Sequence, residues 1–190
     1  MPAAWIRKRA VSRLLCVVLI IACPALHARG QSVEYKVKAA YIYNFIKFTF
    51  WPEHGSANKH APLLVCILGD DPFGETLAPL ENRVINGRRP KLLYFDKPDA
   101  QLNDCNLVFI AENNPAKNTA ILLHAVSRHG LLSVGEAEHF TDNGGMIGFV
   151  IHKRHVAVQF NEAAAQAAGL VFDPRLVKLG QFTNNNNNQH

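Results

Sequence analysis

Six consecutive apolar residues, Leu63-Leu64-Val65-Cys66-Ile67-Leu68, lie between Pro62 and Gly69. No polar side chain interrupts the run, so neither of its faces suits water. Its length fits a strand covered on both sides, the usual state of a strand in a parallel sheet. A second run, Asn106-Leu107-Val108-Phe109-Ile110, opened by Cys105, has the same character. Two doubly buried strands require layers above and below them, which points to an α/β layer fold.

The remaining segments supply those layers. Val33 to Phe50 reads as a helix, with Val37, Tyr41, Phe45 and Phe48 on one strip and Ile42 and Ile46 on a second. Trp51-Pro52 ends it, and Glu53 to Ala61 is a polar loop. After Gly69, Asp70 and Asp71 are cap residues and Pro72 starts a helix running to about Asn82. Asn86-Gly87 marks a turn before a short strand at Lys91 to Phe95. A helix with Pro115 in its first turn extends to about Ser127, and Leu131 to Val134 forms another strand. Met146 to Ile151 and His155 to Phe160 form a hairpin around His152-Lys153-Arg154. Glu162 to Ala168 is helical with Gly169 as its stop, and Pro174 to Leu179 is a last short helix. The expected architecture is one α/β domain over residues 31–181. It has a mostly parallel central sheet, helices on both faces and a C-terminal antiparallel hairpin. Residues 182–190, rich in Asn, read as a disordered tail.

Residues 1–30 have the pattern of a signal peptide. Arg7, Lys8, Arg9 and Arg13 precede an apolar run from Leu14 to Ala25, too short to span a bilayer as a helix. Cleavage after Gly30 puts small residues at both critical positions, whereas cleavage after Ala28 puts Leu26 at one of them. Ile20-Ile21-Ala22-Cys23 matches a lipoprotein box poorly. Five of the 20 basic residues and none of the 15 acidic ones lie before Gln31, leaving 15 against 15. The basic balance therefore belongs to the export segment, and nucleic acid is not the expected partner. No later run is long and apolar enough for membrane insertion after cleavage. Removal of the signal also removes Cys16 and Cys23. Cys66 and Cys105 remain, and an even pair in an oxidising compartment points to a disulfide, the alternative being two buried thiols. Such a bridge closes a loop of about 40 residues and contributes about 4 kcal/mol in the chain-entropy account.

Few residues suggest chemistry. Gly69-Asp70-Asp71-Pro72-Phe73-Gly74 sits where α/β folds bind ligands, so Asp70, Asp71 and Phe73 mark a candidate crevice; helix capping by either Asp is the plainer reading. The acidic pair would repel phosphate, and the spacing is no dinucleotide fingerprint. His152 and His155 stand three apart in a hairpin turn without an acidic or Cys neighbour, so no metal site is expected. Glu136 and Glu138 alternate beside a polar loop and read as solvated surface. Without a nucleophile elbow or a Cys-x-x-Cys pair, no catalytic residues and no cofactor are predicted. The stretch Asp142-Asn143-Gly144-Gly145-Met146-Ile147-Gly148-Phe149 has two readings. Its glycines permit a tight turn, or the loop and hairpin form a recognition edge. On the second reading, Asp142, Asn143, Met146, Phe149 and Phe160 mark a partner surface.

Several segments together resemble the YfiR-like family of periplasmic proteins. They are Lys38-Ala39-Ala40-Tyr41-Ile42-Tyr43-Asn44-Phe45 with Trp51-Pro52, Leu68 to Gly74, Cys105 to Ile110, and Gly144 to Phe149. Phe160-Asn161 with Ala164-Ala165 and Ala168-Gly169-Leu170 completes the set. The resemblance implies a periplasmic repressor that binds the periplasmic domain of an inner-membrane diguanylate cyclase, limiting cyclic-di-GMP signalling and biofilm growth. It also implies a dimer and no catalytic role. Cys66 and Cys105 match one cysteine pair of the best-known member. Its second pair would fall near Phe140 and Ile147, where this chain has no Cys. A periplasmic small-ligand sensor without a cyclase partner is the competing expectation.

Overall fold

A computed structural model describes residues 24–51, 61–111, 123 and 130–184, with side chains between 33 and 180 in those ranges. Helix α1 spans Pro24–Phe48 and runs into the short strand β1, Thr49–Phe50. There follow β2 (Leu63–Leu68), β3 (Pro90–Phe95), β4 (Leu107–Ile110), β5 (Leu132–Gly135), β6 (Ile147–His152) and β7 (His155–Phe160). The chain closes with α2 (Glu162–Ala167), β8 (Val171–Phe172) and α3 (Pro174–Asn184). Among the described residues one sheet has the order β3-β2-β4-β5-β6-β7, and a second pairs β1 with β8. Every pairing from β3 to β6 is parallel, and only β6 with β7 is antiparallel. The mixed α/β class and mostly parallel sheet read from the sequence are both present.

Alternation along the buried strands builds two cores. Val65, Ile67, Leu107 and Phe109 face one way, under α1, α2 and α3. Cys66, Leu68, Val108 and Ile110 face the other, with Leu102, Leu131, Phe140 and the helical Leu123. Apart from Leu123, the helix expected between Asn113 and Ser127 lies outside the described residues. So do Pro52 of the expected helix stop, residues 53–60 of the expected loop, residues 185–190 of the expected tail, and residues 1–23 of the expected signal. No described helix is long and apolar enough to cross a membrane.

The structure corrects several local expectations. The first helix ends at Phe48, because Thr49 and Phe50 pair with Phe172 and Val171 and the Phe48 carbonyl accepts the Asp173 N–H at 2.9 Å. Its buried face is Tyr35, Lys38, Ile42, Phe45 and Ile46, while Val37 remains 39% exposed. The segment after Pro72 is not an α-helix but two 3-10 turns, Gly74–Thr76 and Ala78–Asn82. There Asp71 accepts the N–H groups of Phe73 (2.9 Å) and Gly74 (3.1 Å), and Gly74 adopts a φ of 51°, which no α-helix accommodates. The last helix continues to Asn184, so residues 182–184 of the expected tail are helical. The hairpin turn is tighter than expected: Lys153 and Arg154 alone form it, with φ of 46° and 67°, as a two-residue turn of this hand requires.

Both sheet edges are blunted. On β3, Pro90 offers no N–H and the Leu92 N–H donates to Glu81 Oε1 at 2.8 Å. At the other edge α3 packs on β7: a Cβ at Gly180 would collide with the Phe160 ring and the Val158 carbonyl.

Candidate functional site

The crevice expected at the strand ends is filled by the protein itself. Asp71 is spent on capping, and Asp70 is exposed. Phe73 is buried, its ring 4.8 Å from that of Phe109 and 5.3 Å from that of Tyr35. Beside it lies a buried ion pair. Lys38 Nζ is 2.5 Å from Glu136 Oε2 and 2.6 Å from Glu34 Oε1. The Lys38 and Glu136 side chains are only 5% and 6% exposed. The Tyr35 hydroxyl donates to Glu136 at 3.1 Å, and the ammonium stands 4.5 Å above the Tyr35 ring. Glu136 is thus not solvated surface, as its alternation with Glu138 suggested; Glu138 is, at 90% exposure of its side chain. A residue that follows a core strand points into the layer above it, and α1 brings a cation to meet it. No linear signal marks a pair 98 residues apart.

The stretch from Asp142 to Phe160 divides sharply. Met146 and Phe149 are buried; Phe149 packs 5.5 Å from Phe45 and 6.0 Å from Tyr41. Phe160 is half-buried against Phe172. Only Asp142 and Asn143 of the five expected surface residues are exposed, joined by Ile151, Lys153, Arg154 and His155 at the hairpin. The loop leading to them is pinned from inside. Phe140 is inserted between Gly135 and Gly145, and a Cβ on either glycine would collide with its ring. His139 Nδ1 lies 2.9 Å from Asp142 Oδ2, and the Asn143 amide donates to the His139 carbonyl at 3.0 Å. The bond to Asp142, with help from the Glu138 charge, raises the His139 pKa above its usual value.

The open concavities among the described residues include two that α1 helps to line. One, of about 500 Å³, gathers Lys47, Thr49, Phe50, Trp51, Arg88 and Arg175 beside the β1–β8 pair. Among the described residues the Thr49 hydroxyl is buried there without a hydrogen-bond partner. Arg88 holds the carbonyls of Ala61 (2.9 Å) and Pro62 (2.8 Å), and burial lowers its pKa. Arg175 is bonded to Asp173 and stacks 4.9 Å from the Phe48 ring; those bonds hold the Asp173 carboxyl at about 2. Phe50 and its register partner Val171 are 59% and 56% exposed, an apolar pair beside this pocket. None of these residues was read from the sequence as part of a site, Trp51 figuring there only as a helix stop and in the family resemblance; the aromatic cluster following a helix end was the available signal. The second concavity, about 430 Å³, lies between α1 and the 3-10 turns.

Cys66 and Cys105 are joined in a disulfide, both sulfurs in the core of the sheet's second face. It ties β2 to the residue that leads into β4. No curated protein sequence matches this chain significantly. The YfiR/HmsC-like family model matches residues 35–181, which takes in α1 from Tyr35, both sheets and most of α3, and these are regulatory proteins rather than enzymes. By that match over most of its length, the chain belongs to the YfiR/HmsC-like family.

Proposed function

We propose that this protein is exported by residues 1–30, cleaved after Gly30, and represses an inner-membrane diguanylate cyclase by binding its periplasmic domain. The observation that carries this reading is the family match across residues 35–181. The buried Cys66–Cys105 disulfide supports it, since such a bond persists in an oxidising compartment. The partner surface is the exposed part of the Asp142–Phe160 stretch: Asp142 and Asn143 on one loop and Ile151, Lys153 and Arg154 at the hairpin. The hairpin's inner residues are core and the loop is tied by the Asn143 and Asp142 bonds to His139, so both present their exposed side chains in a fixed place. The protein acts as a homodimer and catalyses nothing. The test is a pull-down of the oxidised protein, purified from the periplasm, against detergent-solubilised inner membranes. Recovery of a membrane protein with a diguanylate cyclase domain supports the reading; loss of that partner in D142K/K153E, with an unchanged melting temperature, locates the surface. Recovery of nothing specific under both oxidising and reducing conditions overturns it.

A second reading has its own observation. The Thr49 hydroxyl, buried without a partner among the described residues in a pocket with Lys47, Arg88 and Trp51, suits a small polar ligand better than a purely structural cleft. A ligand there would make the protein a sensor, and the two readings are compatible if it releases the partner.

A further inference from the structure

The concavity between α1 and the 3-10 turns is separate from both features above. Its α1 wall carries Ala39 and Tyr43, which pack partly buried against the core, and the exposed Lys36. Its other wall carries Leu77, Leu80 and Arg83. Leu77 and Leu80 are 1% and 6% exposed and make an apolar floor. Lys36 and Arg83 stand exposed above it, and no carboxylate lines the groove. Neither cation forms an ion pair among the described residues, in contrast to Lys38 and Arg175. The wall is built in advance: Glu81 ties it to β3, and Asp71 caps its first turn. A volume of about 430 Å³ suits a small molecule.

We infer that this groove binds a medium-chain apolar monocarboxylate, with the carboxylate between Lys36 and Arg83 and the hydrocarbon on Leu77 and Leu80. Charge complementarity selects an anion, and the buried leucines select an apolar body. A charge-assisted hydrogen bond to each cation separates such a ligand from its neutral analogue by about tenfold or more.

Octanoate is the probe, titrated into the oxidised protein while backbone amide shifts are recorded, with octan-1-ol and octylamine as controls. The expected result is saturation with a Kd below about 1 mM. Shifts should centre on Ala39, Leu77 and Leu80, and octanol and octylamine should bind about tenfold more weakly or less. K36Q/R83Q, which alters two exposed side chains, should keep its melting temperature and lose the octanoate response. Absence of saturation, equal binding of octanol, retention of binding in K36Q/R83Q, or shifts centred on Thr49 and Arg175 would each overturn the assignment. So would groove shifts that follow protein dilution instead of octanoate, since a second copy would then cover the groove.

Discussion

On the face of the sheet under α1, α2 and α3, Phe109 sits between Phe73 (4.8 Å) and Phe149 (6.4 Å), and the layer closes over the Lys38–Glu136 pair. On the opposite face Cys66 and Cys105 are covalently joined and Phe140 fills the space between two glycines. The first face is held by aromatic packing and an ion pair between segments distant in sequence. The second is held by a cross-link between residues 39 apart in sequence and by a plug local to one loop. The difference teaches where each kind of stress should be felt. Reduction should loosen the disulfide face, and loss of a charge should loosen the helix face.

The largest effect should come from the cross-link. Cys66→Ala with Cys105→Ala should destabilise the protein by about 4 kcal/mol, the chain-entropy value for a loop of this size. Denaturant unfolding measures it, and hydrogen exchange should show protection lost first around β5 and the Phe140 loop while α1 stays protected. Uniform loss across both faces would remove the distinction drawn between them.

Breaking the ion pair should come next. Lys38→Met leaves Glu136 buried without its cation and should cost about 3 kcal/mol, whereas Lys38→Met with Glu136→Leu should recover most of that loss. A double variant no more stable than the single one would mean that the pair contributes shape rather than charge compensation.

A smaller effect tests the plug. Gly145→Ala should cost about 2 kcal/mol, because its Cβ must displace the Phe140 ring. In a Phe140→Ala background the same change should be nearly neutral, and equal costs in both backgrounds would place the strain elsewhere. Smallest is the His139–Asp142 contact on the surface. The His139 pKa is raised in the folded state, so its contribution is complete below the usual value of 6.5 and is lost as pH rises through the folded pKa. An NMR titration should find the raised value and see it fall in Asp142→Asn; an unchanged midpoint would exclude that bond as its cause.

The parts of this fold legible in the sequence are those written in consecutive residues. Leu63–Leu68 and Leu107–Ile110 announce doubly buried strands because every residue is apolar, and both strands are central in the sheet. Asn86-Gly87 forms its turn with φ of 51° and 79°, and Gly169 stops α2 with a φ of 75°, since these residues tolerate that backbone. The Asn161 cap of α2, whose side chain accepts the Ala164 N–H at 2.9 Å, was not read from the sequence, although an Asn directly before a helix is a usual cap signal. The candidate sites were less legible. Phe73, Met146 and Phe149 looked available beside turn residues but are buried in the structure, because sequence proximity to a loop says nothing about which layer covers a side chain.

By itself, then, the sequence determined the chain order of the six main-sheet strands, the Asn86-Gly87 turn, a cap at Asp70 or Asp71 and the pairing option for its two remaining cysteines. All of these depend on interactions between near neighbours or on composition. Only the tertiary structure decided that α1 lays Lys38 against Glu136, that β1 pairs with β8, and that two open grooves flank the first helix. Each of those depends on the return of a distant segment to the same place. Burial then changes what a residue does: the same Glu that is surface in an extended chain becomes half of a dry ion pair once a helix crosses above it.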